Sequence, residues 1–212
     1  MRILIALTFL TTVLALALMV APPSHAQGVE GLEPIDIEKS VFPETKQGCT
    51  KKALFRVAIA NMYKKGKDPD ELANMQIMKP LVQNAYEEIG RSGLTDYNLK
   101  TVKDYQNCGQ QAKADSSVRK EEKYTAIYKA CSAVNDLTLT ALDAAVKKRS
   151  RDATVKSLEK RKLDLAGTFL EKMKDPALYL AEQVFVKHEQ SYDDAVEFVA
   201  QMSTNCLYGK DG

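Results

Sequence analysis

The sequence predicts an all-α protein, a helical bundle built from two tandem disulfide-stapled helical units. Three observations support this fold class. Apolar residues recur at helical spacing through most of the chain after residue 48. No segment alternates apolar and polar residues between turn dipeptides, as a half-buried β-strand would. The four cysteines fall into two pairs, one in each half of the chain that follows the N-terminal segment.

The N-terminal segment has the order of features that is typical of a secretory signal. Arg2 precedes a mainly apolar run without charged residues over residues 3–20, a Pro-Pro pair at Pro22 ends any helix, and a small-x-small sequence ends at Ala26. This pattern predicts a signal peptide over residues 1–26. The alternative is an uncleaved membrane anchor, because the apolar run is nearly long enough to span a bilayer.

The signal pattern predicts that the mature protein is located in the periplasm or secreted. The chain has 30 basic and 28 acidic residues, and the signal carries one of the basic ones, so the mature net charge is close to zero. This balance gives no reason to expect a nucleic-acid partner. No second apolar run has spanning length, so we expect no integral membrane span after cleavage.

Breaks in the apolar pattern divide the mature chain into four segments. Residues 27–47 contain prolines and glycines without a helical pattern, and they are predicted to form a flexible, extended leader. Residues 48–109 are predicted to form helical unit 1. The polar residues 110–117 form a linker, and residues 118–212 form helical unit 2.

Three helical segments are predicted in unit 1. The first covers residues 49–65, where lysines and a glycine mark its end. The second begins at the Asp-Pro-Asp-Glu sequence at residue 68, is broken or kinked by Pro80, and runs to Gly90. The third covers residues 95–108.

Unit 2 is predicted to hold a long helix and three shorter ones. The long helix covers residues 118–148, and a further helix covers residues 152–174. The next begins at an Asp-Pro cap at Asp175. The last begins at Ser191 and closes on Cys206.

The two units correspond in the order of their features. A Lys-Lys pair begins at Lys64, 15 positions after Cys49, and another begins at Lys147, 16 positions after Cys131. Each unit then ends in a helix that starts at a Thr or Ser cap and closes on a cysteine. This correspondence suggests a duplicated helical unit, which would give the protein a pseudo-symmetric scaffold or binding surface.

Four cysteines allow three pairings. Duplication favours Cys49–Cys108 and Cys131–Cys206, because each would join the first helix of a unit to its last. The alternative joins Cys108 to Cys131 and Cys49 to Cys206. Disulfides of either pairing indicate an oxidising compartment. Closing a loop of this size stabilises the fold by roughly 4 kcal/mol in the chain-entropy model.

The sequence offers little to catalysis, metal binding or cofactor binding. No Cys-x-x-Cys is present, so the cysteines are expected to be structural rather than redox-active or haem-binding. After loss of the signal His188 is the sole histidine, which leaves no zinc-ligand set. No nucleophile motif accompanies it, and adjacent acids such as Asp193-Asp194 point about 100° apart on a helix. We expect no catalytic residue, no metal and no cofactor.

Basic residues cluster where the first long helix of each unit is predicted to end. If the units are pseudo-symmetric, these two helix ends are equivalent and could bind an anionic partner, such as an acidic protein face, a cell-wall polymer or lipid head groups. The alternative is a set of solvated cations, which the helix dipole favours at a C-terminus. The candidate binding residues are Lys64, Lys65, Lys147, Lys148 and Arg149.

An Ala-x-x-Tyr element ends at Tyr63, with Cys49 before it and Cys108 after it. This arrangement resembles the outline of small periplasmic immunity proteins that neutralise type VI secretion amidases, which are exported, all-helical and typically a single unit. The resemblance covers only unit 1. Unit 2 keeps the cysteines but has Val146 where a tyrosine is expected. The resemblance implies a helical protein that binds another protein.

The sequence therefore favours an exported, non-enzymatic protein that binds a protein or an envelope component, as an inhibitor, an immunity protein or an adaptor. A second hypothesis is a periplasmic chaperone or stress protein with an apolar helical groove, which exposed methionines would favour. The methionines concerned are Met75, Met78, Met173 and Met202. A third hypothesis is an enzyme of unrecognised type, which would need a deep pocket of converging polar side chains.

Overall fold

The structure, a computed structural model, describes residues 36–72, 78–112 and 118–208. Regular secondary structure within these ranges is helical throughout, which confirms the predicted all-α fold. The predicted signal peptide lies outside the described residues, as does most of the predicted linker. The described residues from Asp36 to Tyr208 form one compact unit.

The first half contains two long helices, a helix of intermediate length and two short ones. Thr45 caps the first long helix by accepting a hydrogen bond from Gly48 N at 3.1 Å. Pro80 lies in the first turn of its helix, where its missing N–H has no cost. Pro80 therefore lies at the start of a helix that begins at Lys79. The elements are α1 (Ile37–Val41), α2 (Lys46–Lys64), α3 (Pro69–Leu72), α4 (Lys79–Ser92) and α5 (Leu94–Gln111).

The described part of the predicted leader is folded rather than extended. Asp36 caps α1 by accepting a hydrogen bond from Lys39 N. The Phe42 ring lies 5.4 Å from the Phe55 ring of α2, and an ion pair joins α1 to α2 through Glu38. The segment is folded because Asp36 caps α1 and the Phe42 ring and the Glu38 ion pair hold it against α2.

The second half contains α6 (Val118–Val146), α7 (Arg151–Leu158), α8 (Pro176–Gln190) and α9 (Tyr192–Tyr208). The helix predicted over residues 152–174 is wrong beyond Leu158, since residues 159–175 form turns and irregular backbone. Leu165 and Leu170 of this segment are nevertheless buried. Their spacing resembled a helical stripe, but the turns of the segment bring them into the core.

The two halves repeat the same order of elements and the same crosslink. Cys49–Cys108 joins α2 to α5, and Cys131–Cys206 joins α6 to α9, with Cα–Cα distances of 5.8 and 5.5 Å. This is the pairing that duplication favoured. One residue separates α4 from α5 and one separates α8 from α9, and each cysteine of the last helix follows that residue by 15 positions.

The ends of α2 and α6 have the same backbone geometry. Gly66 N donates to Tyr63 O, and the next residue's N–H reaches back to Met62 O, which is the hydrogen-bond pattern of a Schellman motif. Lys148 N and the following N–H make the corresponding bonds at the end of α6. Gly66 and Lys148 both lie 17 positions after the first cysteine of their half.

This register refines the sequence alignment of the halves. Lys65 corresponds to Lys147, and Gly66 corresponds to Lys148. The residue that matches Tyr63 is Ala145 rather than Val146. Only one of the two lysines in each Lys-Lys pair therefore has an equivalent lysine in the other half.

The halves share one large hydrophobic core. Buried side chains of α2 and α5 belong to the same cluster as those of α6, α8 and α9. A smaller cluster, which includes Ile59, Val82 and Tyr97, lies between α2, α4 and α5. The two predicted units are thus two halves of one folded body. Representative members of the shared core are Val102, Tyr105, Leu137, Leu180 and Val199.

We expect Gly109→Ala to disturb the contact between the halves. A Cβ at Gly109 would lie 1.7 Å from the ring of Tyr128 in α6, whose hydroxyl donates to Gln106 O at 2.8 Å. Displacing that ring should lower the free energy of unfolding by about 1–3 kcal/mol, measured by urea denaturation. Gly90→Ala is the matched control, because a Cβ there meets open space on α4 and should stabilise the helix by about 1 kcal/mol. Equal effects of the two substitutions would contradict this account.

We expect Lys148→Gly to stabilise the protein. Lys148 has a φ of 53°, a left-handed conformation that costs a residue with a Cβ about 1 kcal/mol relative to glycine. The reverse change, Gly66→Ala, should destabilise by a similar amount, because a Cβ at Gly66 meets no atom and only the backbone strain remains. Chemical denaturation of both variants measures the two shifts. Shifts of the same sign would show that the two helix ends are not equivalent.

Candidate functional site

The ends of α2 and α6 lie at the same end of the bundle. Lys64 Nζ lies 2.7 Å from Glu197 Oε1, which is in the second turn of α9. Arg151 Nη1, at the start of α7, lies 3.3 Å from Glu189 Oε1 in the last turn of α8. The two carboxylates flank the turn between α8 and α9. The end of α2 and the start of α7, which follows α6 after four residues, therefore both contact the residues beside this turn.

The start of α5 joins the same region. Thr95 Oγ1 donates to Asp193 Oδ1 at 3.0 Å, which places the first turns of α5 and α9 together. Ser191 caps α9 by accepting from Asp194 N at 3.0 Å. We call this region the turn end: the C-termini of α2 and α6 together with the N-termini of α5, α7 and α9.

The structure places all five predicted cationic residues at the turn end, in two groups. Lys64 and Lys147 are paired, the latter with Asp143 at 2.8 Å one helical turn away. Hydrogen bonding from Lys147 lowers the pKa of the Asp143 carboxyl. By contrast, three exposed cations form no ion pair with any residue in the described ranges: Lys65, Lys148 and Arg149.

Large apolar side chains are exposed beside these cations. Tyr63 in the last turn of α2 is 37% exposed, Val146 at the end of α6 is 49% exposed, and Tyr192 at the start of α9 is 40% exposed. Burial, followed by the charges of Asp96 and Asp193, raises the pKa of Tyr192. The sequence analysis did not single out these three side chains as a group. Their positions at helix termini, outside the apolar stripes, were the available signal.

A second polar site lies inside the first half, around Arg56. Arg56 Nε donates to Thr101 Oγ1 at 2.9 Å, and both terminal nitrogens lie 3.1 Å from the oxygens of Glu88. The guanidinium stacks 4.2 Å from the centroid of the Tyr97 ring. Lys100 Nζ also contacts Glu88, at 2.6 Å. We call these residues the Arg56 cluster.

Charge and burial oppose each other in the Arg56 cluster. Burial by itself would raise the pKa of the Glu88 carboxyl, but hydrogen bonds from Arg56 and Lys100, together with their charges, outweigh it and lower the pKa. The Arg56 side chain is only 12% exposed, so its pairing with Glu88 is little screened by solvent. Burial raises the pKa of the adjacent Tyr97 to about 12.

The second half lacks a corresponding cluster. In the common register Thr138 replaces Arg56, Val186 replaces Glu88 and Ala195 replaces Tyr97. Thr138 is buried and bonds only to carbonyls of its own helix within the described residues. A cavity of about 70 Å³ lies beside Arg56 and Glu88, and Phe55 and Leu81 also line it. The sequence analysis missed this cluster, because Arg56 lies within a wide apolar helix face.

The other candidate residues have structural roles or stay untested. His188 lies in the last turn of α8, and Asp193 and Asp194 accept hydrogen bonds from Thr95 and Ser191. The described residues contain no group of three or more His, Cys, Asp or Glu that could hold a metal ion. Among the methionines of the chaperone hypothesis, Met202 is buried, Met78 is half-buried, Met173 is exposed and Met75 lies outside the described ranges.

Within the described ranges, no helix combines the length and the apolar character needed to cross a bilayer. No protein family model matches the chain, and no curated protein or solved structure shows significant similarity to it. The geometry of the two polar sites therefore carries the functional argument.

We expect Arg56→Ala to lower the free energy of unfolding by about 2–3 kcal/mol, because Glu88 would be left half-buried without its bidentate partner. Urea denaturation of this variant at neutral pH tests the value. An effect within about 0.5 kcal/mol, as for an ordinary surface residue, would contradict it.

The Arg56 cluster should also make stability depend on pH. Because the folded-state pKa of Glu88 is depressed, its stabilising contribution is present above the unfolded-state pKa of about 4.3 and is lost as the pH falls through the folded-state value. In Glu88→Gln the difference in stability from wild type should therefore shrink on acidification below about pH 4. Glu87→Gln, on the exposed neighbour, is the control and should follow the wild-type curve. Parallel curves for wild type and Glu88→Gln would refute the assignment.

Proposed function

We propose that this chain is an exported, non-enzymatic protein that binds an acidic face of a partner protein through its turn end. One observation carries the proposal: three cations without an ion-pair partner in the described ranges lie at the same end of the bundle as three exposed large apolar side chains. Arginine and tyrosine are enriched at the centres of protein interfaces, and exposed apolar side chains supply the area that such interfaces bury.

The conformation of Lys148 supports a role for this surface. Its left-handed backbone would be more stable with glycine, which the other half has at Gly66. Strain that is retained where an unstrained alternative exists is typical of functional positions. A lysine here extends the cationic surface from Arg149 across the end of α6.

A protein partner fits the turn end better than a uniformly anionic polymer. Carboxylates of Glu189 and Glu197 lie among the cations, so the surface has a mixed charge pattern. Such a pattern selects a partner with complementary charges of both signs. A uniformly anionic polymer lacks the cations that would meet these acids.

Export is supported by the signal-like N-terminal sequence and by two disulfides, which persist in oxidising compartments. The periplasm or the extracellular space meets this condition. An inhibitor, immunity protein or adaptor role follows from partner binding without a catalytic site, and the identity of the partner decides among them.

The test begins by immobilising the mature protein, without reductant, and exposing it to envelope extract. The captured partner is then titrated with the purified protein to measure Kd. We expect one stoichiometric protein whose Kd weakens by about tenfold or more in the triple variant Lys65→Glu, Lys148→Glu and Arg149→Glu. Tyr192→Ala should weaken binding by a comparable factor.

The matched control changes the same net charge elsewhere on the surface. Lys51, Lys103 and Lys172 are exposed and lie outside the turn end, and their replacement by glutamate should leave Kd within about twofold of wild type. Equal losses in both triple variants would overturn the proposal in favour of long-range electrostatics. Capture of many proteins in low amounts would favour the chaperone hypothesis, and capture of none would favour a small ligand or an unrecognised activity.

A further inference from the structure

The two disulfides differ in their access to solvent. Cys108 is partly exposed and lines an open cavity of about 490 Å³ between α1, α2 and α5. Cys49 is 2% exposed and does not line that cavity. Cys131 and Cys206 are both fully buried in the shared core. A reagent in solution can therefore reach Cys108 first.

The two sulfurs of the Cys49–Cys108 bond lie near opposite ends of their helices, so attack on them is not equivalent. Cys49 is the fourth residue of α2, close to the positive end of that helix dipole, whereas Cys108 lies in the last turn of α5, at a negative end. The helix dipoles therefore favour a thiolate at Cys49 over one at Cys108, whereas the burial of Cys49 opposes it. In thiol–disulfide exchange the better-stabilised thiolate leaves faster. Access thus favours attack on Cys108, and the helix dipole favours Cys49 as the leaving group.

We propose that Cys108 is a site of thiol–disulfide exchange for a small neutral or cationic thiol, and that the Cys131–Cys206 bond is inert in the native protein. The incoming thiolate forms a new S–S bond with Cys108 Sγ, and the Cys49–Cys108 bond breaks with its electron pair passing to Cys49 Sγ. A second thiolate attacks the sulfur of the bound reagent, which leaves as the oxidised disulfide, and Cys108 is released as a thiolate. The two thiols thereby supply the two electrons of the reduction.

The charge of the cavity sets the class of thiol. Two lysines and four acids line it, which gives a formal charge of −2. Ion pairs join Lys39 to Glu44 and Lys52 of α2 to Glu38. Asp36 and Asp104 therefore account for the excess negative charge of the lining. Lys100 Nζ approaches Asp104 at 4.0 Å but lies closer to Glu88, at 2.6 Å. The local field therefore disfavours an anionic thiol and favours a cationic one.

The first test follows reduction of the native mature protein, with alkylation at intervals and mass spectrometry of each cysteine. We expect Cys49 and Cys108 to become alkylated roughly tenfold or more faster than the other pair, and the trapped mixed disulfide to lie on Cys108. Circular dichroism monitors global unfolding in the same samples. Reduction of both bonds at one rate, reduction only as the protein unfolds, or a mixed disulfide on Cys49 would each overturn the assignment.

The second test compares three small thiols, each rate being corrected for the thiolate fraction. Cysteamine should react fastest, 2-mercaptoethanol next and 2-mercaptoethanesulfonate slowest, with steps of about threefold that shrink at 1 M salt. Asp104→Asn should bring the three rates closer together. Asp152→Asn, which removes an exposed acid from α7, is the control and should leave them unchanged. Rates that do not depend on thiol charge would refute the predicted selectivity for neutral and cationic thiols.

Discussion

The crosslink between the first long helix and the last helix of each half is the constraint on which the rest of the structure depends. Cys49–Cys108 fixes α2 against α5, and Cys131–Cys206 fixes α6 against α9. In the chain-entropy model each crosslink lowers the conformational entropy of the unfolded chain, which stabilises the folded state by roughly 4 kcal/mol. The helices between the bonded pairs, α4 and α8, then complete each half, and the turn end forms where all these helices change direction.

Local chemistry explains how much of the fold was predictable from the sequence. Caps such as Thr45 and Ser150 act within a few residues, so the helix starts predicted at residues 49 and 152 lie close to those observed. Pro80, predicted to break or kink a helix, lies in the first turn of one. The cysteine pairing followed from the repeated order of features. The segment after Leu158 was mispredicted, because buried leucines in a turn-rich segment repeat with the spacing of a helix stripe.

The candidate sites were only partly predictable for a different reason. The sequence located the cations at helix ends, but their ion pairs depend on tertiary contacts, such as the one between Lys64 and Glu197. The same applies to Arg56, whose partners come from α4 and α5. A charged residue within an apolar face can be recognised as buried only when its neighbours in space are known. The two halves differ most at these positions, since one half has a charged cluster where the other has mainly apolar packing.

The central position of α9 has a consequence for the order in which the protein can fold. This helix packs against α6 and α8 of its own half and against α2 and α5 of the other, and its Val196, Val199 and Cys206 are buried in the shared core. The shared core thus lacks a central element until α9 has been synthesised. Because helices of both halves pack on α9, neither half completes its native packing before this helix joins them, so the two halves acquire their final structure together.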